Sequence, residues 1–341
     1  MPGTDTTLHS PAGARAGRVL VTGGAGFIGS HLVESLLASG DRVTVIDDLS
    51  TGREENLPAE HPRLRFVRAD LAHALDSLGE HERFDEVYHL AAAVGVKRVM
   101  DRPIESIETN VLQTSAVLRF ASEHGTGERG ARTLIASSSE VYGKADKSPF
   151  SEDDDVVYGP TSVIRWSYAC SKAIDEHLTI AHNRRRGLPA VIARFFNTVG
   201  PRQVGEYGMV LPRFVGAALS GEPLIVHGDG TQSRCFADVR DVAGTLPKLL
   251  RTDGCIGGVY NLGADEPITI KALAELVVST LESSSPIELA PYSDVYPEGF
   301  EDLRQRRPDL TRIKNAIGYA PAIGLKQTIR DLAASIREGR S

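Results

Sequence analysis

The sequence predicts an α/β fold, a doubly wound parallel sheet followed by a smaller C-terminal α/β lobe. Three observations point to it. Short β-branched runs alternate with helix-length amphipathic stretches as far as residue 196, the pattern of a parallel sheet covered on both faces. A glycine cluster separates the first run from the first stretch, and an acidic residue ends the second run. After about Asn197 the segments shorten and Gly and Pro become frequent. A chain of 341 residues is one large domain or two, at ~150 residues per domain. The reading is a sheet domain over residues 18–196 and a second lobe over 197–341, from which some segments return to the first.

The elements run in order along the chain. Arg18–Thr22 is a buried strand, and Phe27–Ser39 a helix with Ile28, Leu32 and Leu36 on one face, stopped by Gly40. Arg42–Ile46, Leu64–Arg68, Glu86–Leu90, Arg132–Ser137 and Ala190–Phe195 are further strands. Ile104–His124 and Trp166–Arg184 are long helices, both with apolar stripes. In the second lobe Val210–Leu219 and Ile270–Glu282 read as helices, and Leu224–His227 and Val259–Leu262 as strands.

Composition excludes several classes. The chain is 41% hydrophobic and 24% charged, with a formal net charge of −7 and a pI of about 5.8. That offers no basic face to nucleic acid or to an anionic membrane. No apolar run approaches the ~18 residues of a membrane span. Residues 1–17 are rich in Gly, Ala and Thr and have no apolar core of a signal peptide, so they are expected to be a disordered tail. Cys170, Cys235 and Cys255 are odd in number and unrelated in spacing, which argues against disulfides or a cysteine metal site and for a cytoplasmic, reducing location. No metal is expected.

Gly23, Gly26 and Gly29 follow the first strand and open the first helix with G-x-x-G-x-x-G spacing. A glycine turn lets backbone N–H groups and the helix N-terminus face a pyrophosphate. Asp47 ends the second strand, where a carboxylate accepts hydrogen bonds from a ribose diol and repels a 2′-phosphate. Together they indicate a Rossmann-type site for NAD rather than NADP. Tyr168 and Lys172, four residues apart on a helix, share one face. A phenol with a pKa near ~10 is a poor base at neutral pH, and an adjacent ammonium is expected to lower that value. Ser138, ending the fifth strand, offers a hydroxyl to orient a substrate alcohol.

These motifs bring a family into view. Thr22–Gly29 (TGGAGFIG), Asp47–Ser50, Asp70-Leu71, His89–Ala92, Asn110, Ser137–Gly143 (SSSEVYG), Tyr168–Lys172 (YACSK) and Arg194–Arg202 resemble the extended short-chain dehydrogenase/reductases of nucleotide sugars over nearly all of Arg18 to Arg337. The resemblance implies a tightly held NAD that oxidises a sugar hydroxyl, usually at C4. It puts Phe27 and Ile28 with the glycines, and Asp48, Ser50, Thr51 and Gly52 with Asp47, along the cofactor. It also puts Asp70 and Leu71 at the adenine, and Leu90, Ala91, Ala92 and Asn110, with Tyr168 and Lys172, beside the cofactor. A homodimer through a four-helix interface of the two long helices is implied as well.

Within that family Ser139–Gly143 looks most like the UDP-glucuronic acid decarboxylases. Gly159–Lys172, Gln232–Asp241 and Gly299–Asp309 resemble the decarboxylase domain of a bifunctional enzyme of lipid A modification. The Asp-Glu pair of the dehydrating members is replaced by Ser139-Glu140, which disfavours dehydration, and Glu140 argues mildly against C4 epimerisation. The implied reaction oxidises C4 of UDP-glucuronic acid to a β-keto acid that loses CO2 and is protonated at C5. The product is a UDP-4-keto-pentose, UDP-xylose, or both; the alternative is a C4 epimerase of a UDP-hexuronic acid or UDP-hexose. Ser139, Glu140 and Arg306 are expected around the carboxylate. Lying beside a second carboxylate, Glu140 is expected to have a raised pKa unless a cation intervenes. Arg234, with Asn197 and Arg202, is expected at the diphosphate, and Lys97 near the sugar. Two plainer readings remain open at this point: Glu140 as a helix-capping or surface carboxylate, and Arg304, Arg306 and Arg307 as a solvated face.

Overall fold

The structure, a computed structural model, describes residues 16–79, 81–93, 96–205, 209–291 and 305–339, without the side chains of 96–98. The expected tail at 1–17 lies outside it, apart from residues 16 and 17.

The first half of the chain runs β1 (Arg18–Thr22), α1 (Phe27–Ala38), β2 (Arg42–Asp47), β3 (Leu64–Arg68), α2 (Leu71–Ser77), β4 (Glu86–His89), α3 (Val96–Asp101), α4 (Pro103–Glu123), β5 (Arg132–Ser138), α5 (Ser167–Arg186) and β6 (Ala190–Phe195). It continues through β7 (Thr198–Val199), α6 (Val210–Ser220), β8 (Leu224–His227), β9 (Ser233–Cys235), β10 (Ala237–Asp238), α7 (Val239–Arg251) and β11 (Val259–Leu262). The last elements are β12 (Pro267–Thr269), α8 (Ile270–Leu281), β13 (Ile287–Ala290), β14 (Gln305–Arg306), α9 (Thr311–Ile317) and α10 (Leu325–Arg337).

Seven strands form one sheet in the order β11-β6-β5-β4-β1-β2-β3, every neighbouring pair parallel. Strand residues are apolar on both sides because both faces are covered. Along β1 the side chains alternate between two cores. Val19 and Val21 pack with Leu32, Leu36, Leu246 and Leu249 of α1 and α7, while Leu20 packs with Leu75 of α2 and Leu118 of α4. The strand order reverses between β1 and β4, which opens a crevice at their C-terminal ends.

Chain after residue 197 is shared between two places. Strand β11 pairs in register with β6, Val259 opposite Ile192 and Leu262 opposite Phe195, so it closes the first sheet instead of building the second lobe. Helix α7 was not foreseen, since Gly244 and Pro247 interrupt its pattern. It is set by the side chain of Asp238, which accepts the Arg240 N–H at its N-terminus, and by the apolar face of Val242, Leu246 and Leu249. A separate core joins α6, α8 and α10 through Leu211, Phe214, Leu273, Val277, Ile329 and Leu332. Helix α5 runs two residues beyond its expected end and stops at Gly187, whose φ of 72° suits a glycine C-cap.

A buried ion pair ties the site-bearing elements together. Arg194 on β6 donates from Nε and Nη2 to Glu176 on α5 at 2.9 and 2.7 Å, and Ser137 on β5 donates to the same carboxylate at 2.5 Å. Removing one partner of a buried pair strands the other charge. Glu176→Gln is expected to lower the unfolding free energy by about 3–5 kcal/mol. Glu34→Gln, which loses a half-exposed partner of Arg202, costs less than about 1 kcal/mol. Urea unfolding of the two variants checks the contrast, and equal losses would contradict it.

Candidate active site

One cavity of about 570 Å³ runs along the crevice from Asp47 and Asp70 to Arg213 and His227. At its first end the glycine turn is packed against the neighbouring strand exit. Gly23 has φ +71°, and a Cβ there would lie 2.6 Å from the Ala91 nitrogen. A Cβ on Gly29 would lie 2.1 Å from the Gly23 carbonyl oxygen. Helix α1 starts at Phe27, and its N-cap Gly26 supplies no side-chain hydrogen bond, so its first N–H groups face the cavity uncapped.

Asp47 anchors the rim. One carboxylate oxygen accepts Ala25 N–H at 3.0 Å and the other Leu49 N–H at 2.9 Å. Burial raises its pKa, and those two N–H groups counteract the rise. Asp70 caps α2, accepting Ala72 N–H at 3.0 Å. Phe27, Ile28, Asp48, Ser50 and Thr51 line this end, as do Leu71, Leu90, Ala91 and Ala92. Gly52 lies behind the lining, with the Ala25 backbone 2.9 Å from where its Cβ would be. Asn110 also lies behind it. Its Oδ1 accepts Ala93 N–H at 2.9 Å and its Nδ2 donates to Ser171 at 3.1 Å, which ties the β4 exit to α5.

Ser138, Tyr168 and Lys172 meet in the middle of the cavity. Ser138 Oγ accepts Glu140 N–H at 3.2 Å, and the Ser138 hydroxyl is near enough to the Tyr168 phenol to oppose the rise in its pKa. One expectation is corrected by the lysine. Lys172 Nζ donates to the buried Asp175 carboxylate at 2.9 Å, so its ammonium is already paired. Burial raises the Tyr168 pKa, Glu140 and Asp175 raise it further, and only the Ser138 hydrogen bond opposes them.

A second correction concerns Glu140. Its two oxygens are held by Arg165 Nη1 at 2.7 Å and Arg306 Nη1 at 2.6 Å. Burial alone would raise its pKa, but the two guanidiniums prevail and bring it down to about 2. The expected rise is replaced by a fall because cations intervene. Both arginine side chains are buried, 7% and 8% exposed, so neither the surface carboxylate nor the solvated face is what forms. Arg165 was missed by the motif reading. Its signal was its place three residues before Tyr168, inside the Gly159–Lys172 segment.

Ser139 and Asn197 also line the cavity, and Asn197 Nδ2 donates to the Cys235 carbonyl at 3.5 Å. Arg234 and Arg306 stand in register on the parallel strands β9 and β14, and both line the cavity. Arg202 is not brought there; its guanidinium pairs with Glu34 on α1. The Lys97 side chain and Arg304 lie outside the described residues. His89 was also missed as a site neighbour. It is fully buried between Thr22 Oγ1 at 2.7 Å and Thr114 Oγ1 at 3.3 Å. Burial, then the Lys172 charge, push its pKa down to about 3, so it stays neutral.

The model of the NAD dependent epimerase/dehydratase family matches residues 19–263. The chain belongs to this family. NAD is therefore its cofactor, and the glycine cradle, the uncapped α1 N-terminus and Asp47 fit that group. A UDP-N-acetyl-alpha-D-glucosaminuronate decarboxylase of Bacillus cytotoxicus is 41% identical over 322 residues, 92% of this chain and 97% of that protein. UDP-glucuronic acid decarboxylase 4 of Arabidopsis thaliana is 36% identical over 94% of this chain and 69% of its own length. Among solved structures, the Thermus thermophilus UDP-glucose 4-epimerase in complex with NAD superposes with a TM-score of 0.80 at 30% identity, over 94% of this chain and 99% of that one.

The close approach at Gly29 gives a direct test of the family cradle. Gly29→Ala is expected to weaken NAD affinity by at least about tenfold, read by calorimetry and by the dinucleotide released on denaturation. Unchanged affinity would contradict the cradle.

Proposed function

We propose that the protein is a UDP-uronate decarboxylase that takes UDP-glucuronate to CO2 and a UDP-4-keto-pentose, UDP-xylose, or both. The observation that carries this reading is the Glu140 carboxylate held between two buried arginines on the cavity that Tyr168 and Ser138 also line. Bound NAD supplies a hydride acceptor for C4. The Tyr168 phenolate takes the C4 hydroxyl proton, with Ser138 hydrogen-bonded to the same oxygen. Lys172 lies one helical turn away on α5, where its ammonium donates to Asp175. The product is a β-keto acid. Its C5–C6 bond breaks, the electron pair passes to the C4 oxygen as an enolate, and Tyr168 and Ser138 hold that oxygen by hydrogen bonds. Arg306, Glu140 and Ser139 surround the carboxylate and a water that returns a proton to C5.

Arg234 and Asn197 support binding of the diphosphate. The identity to the Bacillus cytotoxicus relative favours a second reading in which the uronate carries a 2-acetamido group. A C4 epimerase of a neutral UDP-hexose has less support, since such a sugar makes no use of the two guanidiniums. Ile104, Leu112 and Ile174, exposed on α4 and α5, support a homodimer through these helices, and the unpaired thiols of Cys170, Cys235 and Cys255 suit a cytoplasmic setting. Among the described residues no helix is long and apolar enough to cross a membrane.

Holoenzyme incubated with UDP-glucuronate labelled with ¹³C at the carboxylate is expected to release ¹³CO2, and Tyr168→Phe to lower turnover by about 10²–10⁴-fold. A product of unchanged mass would overturn the reading. The acid limb of turnover belongs to Tyr168, whose raised pKa makes the phenolate scarcer as pH falls, whereas Glu140 remains ionised far below neutral pH. Glu140→Gln removes a negative neighbour, so the limb is expected to move to lower pH. A pH–rate profile that moves the other way would contradict this placement of charges.

A further inference from the structure

We propose that Asp175 is a positioning residue for the base: by holding the Lys172 ammonium it sets the pH range over which Tyr168 works. This inference rests on the reading of Tyr168 as the base of a decarboxylase, and adds to it a residue behind the cavity wall.

Helix α5 carries two buried ion pairs, and they do different things. Glu176 pairs with Arg194 of β6, and Ser137 of β5 donates to the same carboxylate. That pair holds three elements together. Lys172 and Asp175 are three residues apart on one helix, so the bond between them stays within α5 and ties no element to another. Their side chains are 3% and 0% exposed. Burying two charges is costly, and apolar side chains in their place are often no less stable. The stability of the fold is therefore not what this pair supplies. It supplies an ammonium on the cavity, one helical turn from Tyr168. Lys172 lines that cavity and Asp175 stands behind it.

The groups packed around the pair leave this task to Asp175. On β4, His89 lies between Thr22 and Thr114. It is neutral, because burial and then the Lys172 charge bring its pKa down to about 3. On the turn after β5, Glu140 is held by Arg165 and Arg306. Glu176, next to Asp175 in the chain, faces Arg194. Helix α4 brings Asn110 and Thr114 to this side, both uncharged. The Lys172 ammonium donates to Asp175 at 2.9 Å. Burial raises the Asp175 pKa, and Lys172, then Thr114, hold the rise down.

One carboxylate thus acts on the base in two ways. It makes a charged lysine tenable in a buried place, since an ammonium without a partner there is costly. It also opposes the phenolate. Burial and Glu140 raise the Tyr168 pKa, and Asp175 adds to that rise, while drawing the ammonium to its own oxygen. Both effects move the working range of the base to higher pH.

The test is the pH profile of CO2 release from UDP-glucuronate by the NAD-loaded protein. Asp175→Asn keeps the shape of the side chain and loses its charge. The acid limb of kcat/KM is expected to move to lower pH by at least about half a unit, and the alkaline limb to move the same way. Glu176→Gln is the control. It removes the neighbouring carboxylate, whose role is structural, so it is expected to lower the melting temperature and leave both limbs in place. Asp175→Ser, which keeps an uncharged acceptor oxygen, carries the test if the Asn variant does not fold. An acid limb that stays or moves to higher pH, or an equal shift in Glu176→Gln, would overturn the role of Asp175 and leave the decarboxylase reading standing. No CO2 release by wild type would overturn both.

Discussion

The proposed chemistry depends on one carboxylate held by two guanidiniums. Glu140 sits in a mostly buried pocket that by itself would push its proton on, yet Arg306 and Arg165 keep it ionised. That triad joins the turn after β5, the entry to α5 and the strand β14. The same carboxylate raises the phenol of Tyr168. Position, local charge and the protonation of the proposed base are thus coupled through a single side chain.

Around it the fold supplies rigidity in two layers. Glu176, Arg194 and Ser137 lock α5 to β5 and β6, which sets Tyr168 and Lys172 opposite Ser138. Asn110 locks the β4 exit to α5. The Lys172–Asp175 pair is buried beside them, in a setting where neither charge is stable alone. A neutral, buried His89 backs this region without adding charge.

Much of this was legible in the sequence because it depends on local spacing. Gly23 and Gly29 mark a turn that no Cβ can enter, and Tyr168 and Lys172 share a face because a helix repeats every ~3.6 residues. The strands of the first sheet were legible because burial on both faces makes them continuous apolar runs. What was hidden depends on partners distant in sequence. Nothing near Lys172 says whether its ammonium turns to Tyr168 or to Asp175, three residues on. Arg165 and Arg306 are 141 positions apart by their numbers, and only the fold brings them to Glu140. Arg202, expected at the diphosphate, pairs instead with Glu34 on α1, while its backbone, at φ 70°, donates its N–H to Ser335 on α10. Strand β11 looked like part of the later lobe because it follows that lobe's first elements in the chain, while its hydrogen-bond partner is β6.

The central claim is that the carboxylate leaves only after the sugar has been oxidised at C4 by a base at position 168. Stopped-flow mixing of NAD-loaded protein with UDP-glucuronate deuterated at C4 tests it most directly, following absorbance at 340 nm and CO2 release together. The account predicts a rise at 340 nm that precedes CO2 release, with both slowed by the deuterium. Gas released without the absorbance rise, or at a rate indifferent to the label, would contradict it.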